Sequence, residues 1–202
     1  MEHVVWALVR QSDAVSQAVL IILVGMSILC WSIAGYKLLV LYYKSKDIIA
    51  AKRLLDKAKS IDEVLIQEKV LKNSPIAPFF NMLNKANSAE NFERTIDDLL
   101  YQEEEYVSVL KVSAEVAPLI GLFGTVWGLI HSFIRISAQQ NADIVTVAPG
   151  ISEALITTLM GLIVAIPALV LFHQVNGRIK SLEYHLEMSA DRLISLIKRG
   201  VS

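Results

Sequence analysis

A carboxylate and two adjacent threonines, Glu153, Thr157 and Thr158, stand inside a largely apolar stretch, GISEALITTLMGLIVAIPALV at residues 150–170. A second apolar stretch, APLIGLFGTVWGLIHSF at 117–133, carries Thr125 among Gly121, Gly124 and Gly128. On a helix Gly121, Thr125 and Gly128 share one face, and so do Ala154, Thr158, Gly161, Ala165 and Ala168. Carboxylates take up and release protons, and hydroxyls both donate and accept, so such residues can order a proton-relaying water chain. The same residues also suit plain packing. Small side chains let helices approach closely, and threonine hydroxyls bond across the seam or back to a carbonyl one turn earlier. Spacing alone leaves both readings open.

The elements that must carry these residues follow from composition. The chain is 54% hydrophobic and 19% charged, against about 25% charged in ordinary soluble domains. Uncharged runs at 14–36, 116–134 (with one histidine) and 154–177 meet the roughly 20 residues needed to cross a ~30 Å hydrocarbon core. Without water to satisfy backbone groups, such unalternating runs must be helices. The expected fold is an all-α integral membrane protein with three transmembrane helices extended by long cytoplasmic helices. The expected segments are an extracytoplasmic stretch 1–13, transmembrane helix 14–43, cytoplasmic helical loop 44–113, transmembrane helix 114–137, short periplasmic loop 138–149, transmembrane helix 150–174 and cytoplasmic C-terminal helix 175–202. The first run exceeds a signal-peptide core, is preceded by the single basic residue Arg10 and lacks a small-x-small cleavage site, so it reads as a retained anchor.

Eleven of the nineteen basic residues lie at 44–111 and five more follow Asn176, while 138–149 has none. Positive loops stay in the cytoplasm, which places the amino terminus outside and the long loop and tail inside. In the loop, Ser60 and Glu63 fit a capping box, Pro75 and Pro78 mark a break, and an apolar helical pattern runs from Phe92 without a breaker to Val116. Ile179, Leu182, Leu186, Leu193 and Ile197 give the tail an amphipathic face. YQEEEY at 101–106 reads as a solvated face. Near-zero net charge offers no case for nucleic acid, the lone Cys30 forms no intrachain disulfide, and no P-loop, HExxH or CxxC pattern points to an enzyme, a metal or a cofactor.

Glu153 has two readings. Close behind Pro149, Gly150 and Ser152, it could complement the positive end of a helix dipole, or it could guard the outer mouth of a polar path. Glu115 is a weaker inner counterpart. His131 and His173 read as interfacial, and Pro167 as freeing a carbonyl within the third helix. Helix two ascends and helix three descends, so Thr125 and Thr158 should lie at similar depth.

PLIGLFGTVWGLIHSF and VAPGISEALITTLMGLIVAIPA resemble the signature segments of the MotA/TolQ/ExbB proton-channel family. The resemblance is strong over about 117–168, and His131 with Phe133 and Ser152 before Glu153 incline it to the TolQ branch. It implies a proton-channel or stator subunit of an inner-membrane motor, pentameric in the family, surrounding the single helices of a TolR-like or ExbD-like partner that brings the proton-binding aspartate. Work would pass to a TolA-like or TonB-like protein, serving outer-membrane integrity and division in the first case and outer-membrane uptake in the second. Gly25, Ser27 and Ser32 on helix one are the expected contact points. Thr125 and Thr158 fall on the family's pore-lining threonines and Glu153 on its helix-three glutamate. Thr157 stands where the family usually has alanine, adding a polar group to the expected lining, and His173 stands where it has asparagine. Gly121, Gly124, Gly128, Gly161 and Pro167 belong to the same motif. A passive membrane scaffold is the rival of another class.

Overall fold

Long apolar runs satisfy their backbone only within helices, and the described residues contain helices and no strand. The computed structural model describes residues 13–66, 74–80, 88–139 and 144–200. The expected segment 1–13 save Asp13, parts of the cytoplasmic loop, positions 140–143 and the last two residues lie outside them. The helices are α1 (Ala14–Lys57), α2 (Ile61–Ile66), α3 (Ala77–Phe80), α4 (Ser88–Glu104), α5 (Val107–Gln139) and α6 (Ile144–Gly200). Three of them, α1, α5 and α6, are long and apolar enough to cross a membrane. Only 28% of each apolar window is buried within the chain, so most of each span must be covered by lipid or by another protein. Large exposed side chains such as Ile21, Leu29, Phe133 and Ile166 supply that outer surface.

The chain divides into two compact units, Met1–Ile33 with Ser108–Phe172, and Ala34–Val107 with His173–Ser202. In the first, Val19 and Leu23 of α1 pack on Ala117 of α5 and Val164 and Ala165 of α6. Helices α5 and α6 meet through the small-residue stripes. A methyl at Gly161 would come within 2.6 Å of the Ala117 carbonyl oxygen, and one at Gly121 within 2.8 Å of the Thr157 carbonyl oxygen. Likewise, a methyl at Gly128 would meet the Ala154 Cβ at 2.9 Å. No larger side chain fits while the two backbones stay this close.

The second unit follows a different rule. On α6, Val175, Ile179, Leu182, Leu186, Ser189, Leu193 and Leu196 are buried at alternating steps of four and three, a heptad seam. Leu196 takes the place expected of Ile197, which is half-buried. On α1 the corresponding seam contains Ala34, Lys37, Leu41, Lys44, Ile48, Ala51 and Leu55, with Ala58 just past the helix end. Two lysines in a seam need an acid, and Glu103 at the end of α4 provides it. Lys44 donates to Glu103 Oε1, and the buried Lys37 ammonium lies 3.8 Å from Oε2 while donating to the Gln102 carbonyl at 3.0 Å. YQEEEY is therefore not uniformly solvated, since Glu103 is only 4% exposed. Arg192 closes the end of α1 by donating to the Leu55 and Ala58 carbonyls at 3.3 and 3.0 Å. Phe79 and Phe92 add an edge-to-face contact between α3 and α4, with centroids 5.1 Å apart.

Two helix boundaries differ from expectation. The pattern from Phe92 does not run on to Val116: α4 stops at Glu104, and Tyr106 adopts φ 66°, a left-handed backbone that a helix cannot continue through. At the third span, α6 begins at Ile144, so Pro149 lies inside it. Its missing N–H affects only the carbonyl of Val145, one residue from the helix start, where the loss is small. The Ser60 cap forms in modified fashion, with Glu63 N–H reaching Ser60 Oγ at 3.4 Å and the Glu63 carboxylate accepting from Lys59 N–H at 2.7 Å.

Replacing Gly161 or Gly121 by alanine should force α5 from α6 and cost about 1–3 kcal/mol, lowering the melting temperature in detergent. Gly25→Ala is the control, having nothing within 4 Å of the added methyl; unchanged melting in Gly161→Ala would contradict the close approach. Glu103→Ala, which strands Lys37 in a buried site, should cost about 3 kcal/mol or more. Pairing Lys37→Met with Glu103→Leu should recover most of that loss, and thermal melts of the single and double variants check both expectations.

Candidate functional site

A threonine can sit inside an apolar helix because its hydroxyl finds a carbonyl on the preceding turn. Thr125 does so, with Oγ1 3.2 Å from Gly121 O, and Thr157 reaches Ala154 O at 2.7 Å. The glycine seam brings the opposite helix within the same reach. Thr125 also lies 3.1 Å from Ala154 O, and Thr157 and Thr158 each lie 3.1 Å from Gly121 O. Thr125 and Thr158 touch directly through their Oγ1 atoms, so the two hydroxyls do share one depth.

Three hydroxyls carry three protons, fewer than the acceptors within reach. Thr125 can donate to Thr158 while Thr158 donates to Gly121 O, or Thr158 can donate to Thr125 while Thr125 donates to Ala154 O. Switching between these orders reverses the pair by rotating O–H bonds, with no heavy atom displaced. Thr125 and Thr158 are half-buried, and one side of the pair is open. Thr157 is 0% exposed. A methyl at Gly124 would lie 2.6 Å from its Oγ1, so Thr157 braces the seam and does not reach a lining surface of this chain.

Glu153 lies nine residues into α6, which begins at Ile144. Dipole effects fade within the first turn, so the capping alternative for Glu153 is removed. Instead, the half-buried Glu153 lines a recess of about 10 Å³ with Asp13, Ser16, His131 and Arg135. Gly128, Ser132 and Gly150 complete its wall, with Ser132 Oγ donating to Gly128 O at 2.8 Å. The recess and the threonine pair are adjoining: Glu153 precedes Ala154, whose carbonyl accepts from Thr125.

Asp13 and Trp127 escaped the sequence reading. Trp127 Nε1 donates to Asp13 Oδ2 at 2.8 Å, and this bond, aided by His131, holds the Asp13 carboxyl below its ordinary value of 3.8. The signal was available, because an aspartate directly before an apolar helix is a preferred N-cap. Pro167 is half-buried within α6 and frees the carbonyl of Ile163 four residues back. Glu115 is exposed and His173 falls in the second unit; neither joins this cluster.

The family model for the MotA/TolQ/ExbB proton channel family matches residues 58–188. The chain is 31% identical to the biopolymer transport protein ExbB of Neisseria meningitidis serogroup A, over 91% of this chain and 92% of that protein. It is 36% identical to the Tol-Pal system protein TolQ of Haemophilus influenzae, over 65% of this chain and 55% of that one. A third relative, ExbB of Pseudomonas putida, is 28% identical over 97% of this chain, which spans 64% of that protein's length. With three helices fit to span a membrane and a family match over most of its length, the chain is a membrane protein and not an enzyme: it belongs to the MotA/TolQ/ExbB proton channel family.

Proposed function

We propose that this chain is the channel-forming subunit of an inner-membrane motor that turns proton motive force into mechanical work on an envelope-spanning partner. The observation that carries this reading is the half-exposed Thr125–Thr158 hydroxyl pair, whose bonds can reverse direction in place. Several copies, five by analogy with the family, surround single-helix partners of the TolR or ExbD kind. The basic loop and tail face the cytoplasm, the amino terminus faces outward, and the spans are 14–43, 114–137 and 150–174. Protons reach Glu153 from outside, pass the threonine pair and neutralise an aspartate on the partner helix. Losing a charge that is costly at mid-membrane allows that helix to move. A unit charge crossing ~100 mV supplies about 2.3 kcal/mol, enough to bias a two-state movement.

The partner system admits two readings. His131 with Phe133 and Ser152 before Glu153 favour a TolQ-like role, with work delivered to a TolA-like protein through the α1 face around Gly25. An ExbB-like role with a TonB-like protein is the second reading, since relatives of both names match more than nine-tenths of the chain. Co-purification with each type of single-helix partner discriminates them: the TolQ-like reading predicts a stable complex with the TolR-like partner and fails if only the ExbD-like one is retained. A scaffold without transport remains a rival because every hydroxyl can also end on a carbonyl of its own chain.

Partner-dependent proton flux into liposomes tests the central reading. Thr158→Val and Thr125→Val, close in volume to threonine, should keep the assembly and lose flux by about tenfold or more, the effect of deleting a relay bond. Full flux in both variants would leave the scaffold. Thr157→Val should behave differently, retaining flux while losing about 1–2 kcal/mol of stability with its buried bonds. A collapse of flux in that variant without loss of stability would return Thr157 to the pathway.

A further inference from the structure

Among the described residues of the first unit, Ser16 is the buried hydroxyl left without a hydrogen-bond partner. It is 0% exposed and lines the recess beside Glu153. A polar atom withdrawn from water and left unbonded is unfavourable, and the recess of about 10 Å³ is close to the smallest space that admits one water. A buried water needs two to four polar partners. Ser16, Asp13, His131 and Glu153 line this space, drawn from α1 and the residue before it, from α5 and from α6. Arg135, on α5, is the remaining charged group that faces it. Trp127 fixes the Asp13 carboxylate at the rim. The size of the recess and its polar lining suit a single water.

We propose that the recess holds one water, anchored by Ser16, that hands protons from Asp13 to Glu153 at the outer mouth of the pathway. The handover rests on the proton-path reading above, whereas the water site does not. A proton taken up by Asp13 passes to the water as one of the water's own protons passes to Glu153. One carboxyl O–H bond breaks, another forms, the water is regenerated and net charge is unchanged. Ser16 is a positioning residue in this scheme, and α1 contributes to a path otherwise built from α5 and α6.

The test pairs a spectroscopic measurement with a transport measurement. Infrared difference spectra of the complete complex, taken in ordinary and ¹⁸O-labelled water, should contain an isotope-shifted O–H stretch from an internal water that disappears in Ser16→Ala. Removing an unpartnered hydroxyl leaves the fold intact. Flux in the same variant should fall about tenfold, as expected when a relay loses one hydrogen bond. Absence of the band from the wild type, or its persistence in Ser16→Ala, overturns the water site. Loss of the band with undiminished flux overturns the handover. Thr158→Val measured alongside separates the two ideas: full flux there ends the threonine path, while the infrared band still decides the water.

Discussion

The close approach of α5 and α6 at Gly121 and Gly161 is the constraint on which the membrane-spanning arrangement depends. Lipid offers no hydrogen bonds, so a hydroxyl in a span must find its partner in protein or in an internal water. Because nothing larger than hydrogen fits at these two positions, the Gly121 carbonyl comes within reach of hydroxyls from both helices. The same contact that packs the helices therefore assembles the polar cluster. Packing and proton relay need not be rival uses of these residues. Thr157 illustrates the first and the Thr125–Thr158 pair is positioned for the second.

Two packing rules operate within one chain. In the first unit, small residues bring backbones together because an apolar side chain gains little by leaving lipid for protein. In the second, the heptad seam of α1 and α6 buries leucine, isoleucine and valine in the manner of a coiled coil. Lys37 and Lys44 interrupt that seam, and Glu103 answers both. A buried ion pair of this kind contributes little net stability compared with apolar residues, yet it penalises any register that separates the charges. It thereby ties the end of α4 to one position along α1.

Much of this architecture was legible because it rests on local periodicity. Apolar runs disclosed the spans, steps of three and four disclosed the stripes, and Ile179, Leu182 and Leu186 disclosed the tail seam. The remainder depends on partners distant in sequence. Glu103 looks like one of several solvated acids until Lys37 and Lys44 stand opposite it. Tyr106 has no glycine or proline to announce a break. Pro149 suggested a helix start, but the helix begins five residues earlier and carries Glu153 beyond the reach of the dipole. Thr157 and Thr158 are neighbours that both reach α5, and only the position of the opposing backbone leaves one buried and the other half-exposed.

On the proton-path proposal, the open side of the threonine pair borders water in the working assembly. Cys30 is the chain's single cysteine and is 2% exposed, so a Cys30→Ala background permits a single reporter to be placed at will. The most direct measurement is the rate at which a small water-soluble thiol reagent labels Thr158→Cys in the partner-bound complex. Leu159→Cys, on the exposed apolar face, serves as the comparison. Rapid labelling at 158 and little at 159 are expected. No labelling at 158, or equal labelling at both positions, would contradict it.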